Sequence, residues 1–199
     1  MKHASIRETF RYWDERRGRR LAPERDEIEP AAIRKALGDS FVLSVAPAHR
    51  FRLAGTRVCA LFCRELKGEA FLHLWDAPSR ALVHDLLGTV TGEAVGLVAG
   101  ATGRMGGEPP VPLELLLLPL HHRGSLARVL GVLAPLAPPY WLGHQPLPPM
   151  TLGAFRYLGP VAMPTPRIVP SPADLRRGFV IYQGGTAKSA DTAETATDS

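Results

Sequence analysis

Cysteine is scarce in this chain, with two among 199 residues, so no disulfide framework supports the fold. Cys59 and Cys63 lie four apart, as a metal pair would, but with His73 they fall short of the four ligands of a closed zinc site. Free cysteine is among the most buried residue types, and small buried hydrophobes are the reading preferred for both. Long apolar runs are also missing. Nothing approaches the ~18 to 20 residues that a spanning helix needs, and no basic stretch followed by an apolar one opens the chain. A cytoplasmic protein with no membrane segment is therefore expected. One-sided charge is lacking too. The net charge is +5, but residues 1–30 set eight Lys and Arg against seven Asp and Glu. Nucleic acid is accordingly not expected as the principal partner. The dense basic cluster Arg16-Arg17-Gly18-Arg19-Arg20 reads first as a solvated helix end, and second as a phosphate-binding patch of a nucleic-acid-associated regulator.

Catalytic signatures are equally thin. Gly100-x-x-Gly103 and Gly106-Gly107 lack the following helix and the Lys-Ser/Thr of a phosphate-cradling loop. No Ser-His-Asp or paired-carboxylate arrangement has a local signature. His84-Asp85 looks like a kinase phosphoacceptor, yet 199 residues leave no room for a nucleotide-binding domain beside it. A small-molecule enzyme is the least supported class, and the prediction is a non-enzyme.

What is present is a regular order of elements. Residues 5–18 read as an amphipathic helix, with Ile6, Phe10 and Trp13 on one stripe. Pro30 opens a second short helix ending at Gly38. Phe41, Leu43 and Val45 alternate as a first strand, and residues 47–49 turn it into a second over 50–54. Leu61, Phe62, Leu66, Phe71, Leu74 and Trp75 then recur too irregularly for one helix or a strand, which suggests an apolar wall of short helical pieces. Residues 77–91 give the longest helix, capped by Asp76, with Leu82, Leu86 and Val90 spaced by four. Three strand candidates follow at 93–102, 111–121 and 126–136, and His122-Arg123-Gly124-Ser125 reads as a hairpin turn. The continuous run Leu115 to Leu118 predicts a strand covered on both faces, by the N-terminal helix or a second subunit. The pattern is α+β: a five-stranded antiparallel sheet with short helices on one face and an N-terminal flanking helix.

The run Leu61-Phe62-Cys63-Arg64-Glu65-Leu66-Lys67-Gly68, leading through Phe71 and Trp75 to Asp76-Ala77-Pro78, resembles the central helices of PAS sensor domains. Tyr12-Trp13, Pro23, Arg25, Asp26, Pro30 and Ile33, followed by Phe51-Arg52-Leu53-Ala54-Gly55-Thr56-Arg57, resemble more narrowly a bacterial PAS-like family long catalogued as a domain of unknown function. The resemblance covers residues 5–135. It implies a stand-alone sensory or regulatory protein that acts in signal transduction by binding a protein partner, with or without a small ligand as its control, and with a homodimer expected. By the same resemblance the ligand would lie between sheet and helices, against Arg52, Thr56, Arg57, Phe62, Phe71, Trp75 and Leu87. The competing reading makes these aromatics plain core. Arg52 and Arg57 discriminate, because a buried guanidinium needs an anionic partner. No cofactor is named: Phe71 stands where photoreceptor PAS domains carry their reactive cysteine, and His73 and His84 are haem candidates by region only.

Composition changes late in the chain, where 11 of the 19 prolines fall within 135–172. Proline at that density breaks helices and central strands, so an irregular extension is expected, with a short ordered piece at 175–182 or a polyproline docking site for another protein. The organisation expected is a helical flank at 1–38, a core at 39–136, the proline-rich extension at 137–185 and a disordered tail at 186–199.

Overall fold

The computed structural model describes residues 1–46 and 48–158. The expected pieces at 175–182 and 186–199 lie outside the described residues. Helix α1 spans Ala4–Arg17. Short 3-10 turns at Arg25–Glu27, Pro30–Ile33 and Leu37–Asp39 lead into strands β1 (Ser40–Ser44) and β2 (Phe51–Ala54). Helix α2 (Thr56–Leu61), a 3-10 turn at Phe71–Leu74 and helix α3 (Ala77–Gly92) form the central segment. Strands β3 (Gly96–Gly103), β4 (Val111–His122), β5 (Ser125–Pro135) and β6 (Thr151–Leu158) complete the sheet.

All pairings are antiparallel, in the order β2-β1-β5-β4-β3-β6. Among the described residues the sheet therefore has six strands where the sequence predicts five. The additional strand comes from the proline-rich stretch. Residues 151–158 contain no proline, and Leu152 and Phe155 supply apolar side chains that β3 can bury. Asp76 fixes the start of this strand: its carboxylate caps α3 through the Ser79 N–H at 2.8 Å and accepts the Thr151 hydroxyl at 2.7 Å.

Each face of the sheet buries its own cluster, because strand residues alternate in direction. On the inner face, α2, the Phe71–Leu74 turn and α3 cover Phe41, Leu43, Leu97, Leu113, Leu115, Leu117 and Val129. Phe41, Phe51 and Phe71 meet at ring separations of 5.4 to 5.7 Å, and Trp75 lies edge-on to Phe71 at 5.8 Å. Phe41 can lie flat across β5 because its direct pair is Gly131, where a Cβ would overlap the phenyl ring. On the outer face, Ile6 and Trp13 of α1 pack on Val42, Leu116, Leu118, Leu120, Leu130 and Val132, and the Trp13 indole donates to the Pro119 carbonyl at 2.9 Å. The apolar run in β4 is thus covered on both faces, with α1 as the outer cover. Trp141, Leu147 and Met150, from the irregular stretch before β6, join the inner cluster.

Candidate functional site

A cleft of about 530 Å³ opens at the end of the sheet where β1 begins and β5 ends. Local sequence explains each of its sides. Gly55 packs its Cα against the carbonyls of Leu37 and Gly38, a contact no side chain would permit, and this close approach starts α2 beside the Leu37–Asp39 turn. Arg57, in the first turn of α2, is thereby laid across Gly38 toward Asp39. His3 and Ser5, at the start of α1, approach from the other side, and Leu61, Leu136 and Leu142 supply apolar wall.

Asp39 is the centre of this arrangement. Its carboxylate is buried, accepts the Ser5 hydroxyl at 2.6 Å, and receives Arg57 in a two-pronged contact at 2.6 and 2.9 Å. Arg57 also donates to the Lys35 carbonyl at 2.7 Å. The hydrogen bonds that Arg57 donates to Asp39 raise the Arg57 pKa above its ordinary value, against the opposing effect of partial burial. Three segments that are remote in sequence are tied to one carboxylate: α1, the entry to β1, and α2. A second cavity of about 410 Å³ lies beside Glu114, whose buried carboxylate accepts the backbone N–H groups of Lys2 and His3.

Of the residues singled out in the sequence, Arg57 lines the cleft, and Thr56 is exposed at the start of α2. Phe62, Phe71, Trp75 and Leu87 are buried together in the inner cluster. Arg52 is exposed on β2 and forms no ion pair among the described residues. Arg57 meets Asp39, so its charge does not by itself require an acidic ligand. Asp39 and Ser5 carry no signal in the sequence, because a lone Asp after Gly38 has no local signature until α1 folds back on it. The indole N–H groups of Trp75 and Trp141 are buried with no acceptor from the described residues.

Other expectations change with the structure. Cys59 is only half-buried and Cys63 is exposed: α2 ends at Leu61, so Cys63, with a left-handed backbone, lies beyond the helix face on which the two would have stood together. Burial raises the Cys59 thiol above its ordinary pKa, which disfavours the reactive thiolate. Among the described residues no group of three His, Cys, Asp or Glu is placed to hold a metal. The basic cluster is interleaved with carboxylates: Arg16 pairs with Glu29 at 3.4 Å, Arg17 with Asp14 at 2.5 Å and Arg20 with Glu27 at 2.9 Å. His73 and His84 are exposed. Among the described residues no helix is long and apolar enough to cross a membrane.

Comparison with known proteins adds the following. The PAS domain family matches residues 1–134. A solved structure of an RNA-binding light-oxygen-voltage receptor is similar at 14% identity and a TM-score of 0.41, over 58% of this chain and 33% of that one. This chain thus spans about a third of that receptor. None of the curated proteins matches.

Proposed function

This chain belongs to the PAS domain family, a family of sensory and regulatory modules, and from that premise we propose that it is a regulatory protein without catalysis of its own. It acts by presenting α1 and the neighbouring surface to a protein partner, under the control of a small ligand. The observation that carries this reading is the Asp39 junction. One buried carboxylate holds both the first turn of α1 and the first turn of α2, so a shift of either helix changes the hydrogen bonds of the other. A ligand that enters the cleft beside Arg57, Leu61 and Leu142 would favour one of the two arrangements by its differential affinity for them. The coupling is tested by hydrogen exchange on the full chain and its Asp39→Asn variant. Protection is expected to fall together at Ala4–Arg17 and Thr56–Leu61; loss confined to one helix would sink the coupling.

A second place for the ligand is favoured by the two orphan indoles. A buried donor without an acceptor costs ~1 to 3 kcal/mol, so a ligand acceptor reaching Trp75 or Trp141 would be bound for that reason. This interior location returns Phe62, Phe71, Trp75 and Leu87 to the role of ligand contacts. Homodimerisation belongs to the same proposal. With the apolar stripe of α1 already buried on its own sheet, a second copy would meet the polar side of α1. A monomeric mass by light scattering at micromolar concentration would remove that part.

A further inference from the structure

One corner of the outer face gathers four arginines from different elements. In the β4–β5 pair Arg128 stands opposite Leu120, and in the β1–β5 pair opposite Ser44. Directly opposed residues share a face, and Leu120 belongs to the outer cluster, so Arg128 emerges on that face. In the β1–β2 pair, Val42 faces Leu53 while Leu43 faces Phe51, which leaves Arg52 as the extra residue of a bulge on the exposed strand. Arg123, with a left-handed backbone at φ 56°, forms the tip of the β4–β5 turn. Arg25 is brought to the same end by a bridge between Glu24 and His121 and by the His121 N–H bonded to the Pro23 carbonyl at 2.9 Å.

None of these four guanidiniums forms an ion pair among the described residues, unlike the Arg16, Arg17 and Arg20 cluster. Partial burial, and then the positive charges of Arg52, Arg123 and Arg25, lower the pKa of Arg128. Two carboxylates stand nearby without pairing to any of the four: Glu24, which accepts the Gly124 N–H at 3.3 Å, and Asp26, exposed on the Arg25–Glu27 turn; Glu27 is held by Arg20. Four like charges against two unpaired carboxylates leave a net positive corner, and the repulsion among the guanidiniums is free energy that an arriving anion recovers.

We propose that this corner, formed by Arg25, Arg52, Arg123 and Arg128, is a docking surface for the phosphate backbone of duplex DNA. The inference goes beyond the ligand-and-partner reading and stands apart from the Asp39 junction. Three features select the occupant. The cations are all arginine, whose planar fork matches phosphate oxygens in pairs. They follow one corner of a sheet instead of lining a closed pocket, as contacts to a repeating backbone require. Among the described residues no Phe, Tyr or Trp ring is exposed at this corner for single-stranded bases to stack on, since exposed Tyr140 lies beyond the far end of β5.

The test is fluorescence anisotropy of a labelled duplex of about 20 base pairs, titrated with the full chain at several salt concentrations. Four phosphate contacts predict a log–log salt slope of about −3.6, hence ~150-fold weaker binding at about 200 mM than at about 50 mM salt. Arg52→Ala with Arg123→Ala should halve the slope to about −1.8, leaving only a ~12-fold change over the same range. Arg25→Ala, on a separate element, should remove a quarter of it and serves if the double variant does not fold. Arg104→Ala carries the same charge change on the β3–β4 loop and should leave the slope as it is. The proposal is overturned by absent binding at about 50 mM salt or by a slope indifferent to the Arg25, Arg52 and Arg123 substitutions. Tighter binding of a single strand, of polyglutamate or of phosphatidylserine vesicles would also overturn it.

Discussion

Removing Arg57 should destabilise this protein more than removing its partner Asp39, although both changes break the same contact. The reason is the unequal burial of the two side chains: Asp39 is 5% exposed and Arg57 56%. In Arg57→Ala the carboxylate stays buried with the Ser5 hydroxyl as its remaining side-chain donor, a cost at the low end of the usual range for an orphaned buried charge, ~3 kcal/mol. In Asp39→Ala the guanidinium turns into the cleft and hydrates, so the loss is that of screened hydrogen bonds, ~1 to 2 kcal/mol. The double variant carries no buried charge and should resemble Asp39→Ala. Adding Asp39→Ala to Arg57→Ala is thus expected to restore ~1 to 2 kcal/mol, a coupling well above additivity error. Urea unfolding followed by tryptophan fluorescence measures it, since Trp13, Trp75 and Trp141 are all buried. An Asp39→Ala variant as unstable as Arg57→Ala, or strictly additive losses, would refute the reasoning.

Two further predictions follow from the hairpin and the sheet. Burial, and then the charge of His84, lower the pKa of His49, so its neutral form is the one the fold accommodates. Its contribution is complete above the unfolded value of about 6.5 and is lost as pH falls through the folded pKa. The melting temperature should therefore decline as pH drops below about 6.5, less steeply in His49→Phe, and equal profiles would refute the assignment. Gly131→Ala should cost ~1 to 3 kcal/mol, because the new methyl displaces the Phe41 ring, and Phe41→Leu in the same chain should recover part of the loss in calorimetric melting.

The sequence announced those elements whose periods are set by burial. The stripe Ile6, Phe10, Trp13 marked α1, the Asp76-Ala77-Pro78 start marked α3, and the four consecutive leucines of β4 showed a strand buried on both sides. The sixth strand was obscured because proline density dominated its neighbourhood, while its pairing with β3 is a long-range fact without a local trace. The candidate site divides in the same way. Arg57 was legible as a charged residue at a strand-to-helix turn, but the carboxylate that answers it comes from 18 residues earlier and the hydroxyl from 34 residues before that. The four-arginine corner was invisible for a related reason: its members lie up to 103 positions apart, and only strand register and the Glu24–His121 bridge bring them to one end of the sheet.

The family resemblance ends near residue 134, yet the folding unit does not. A chain cut there would lose Trp141, Leu147, Met150, Leu152 and Phe155 from the inner cluster and would bare the long side of β3 as an unpaired strand. It would also strand the Asp76 carboxylate without its Thr151 donor. Such a fragment should aggregate or open at α3, even though it contains every residue by which the family is recognised. Expression boundaries drawn from the family match alone would fall inside the core, and residues through 158 belong to the smallest piece that can be expected to hold its shape.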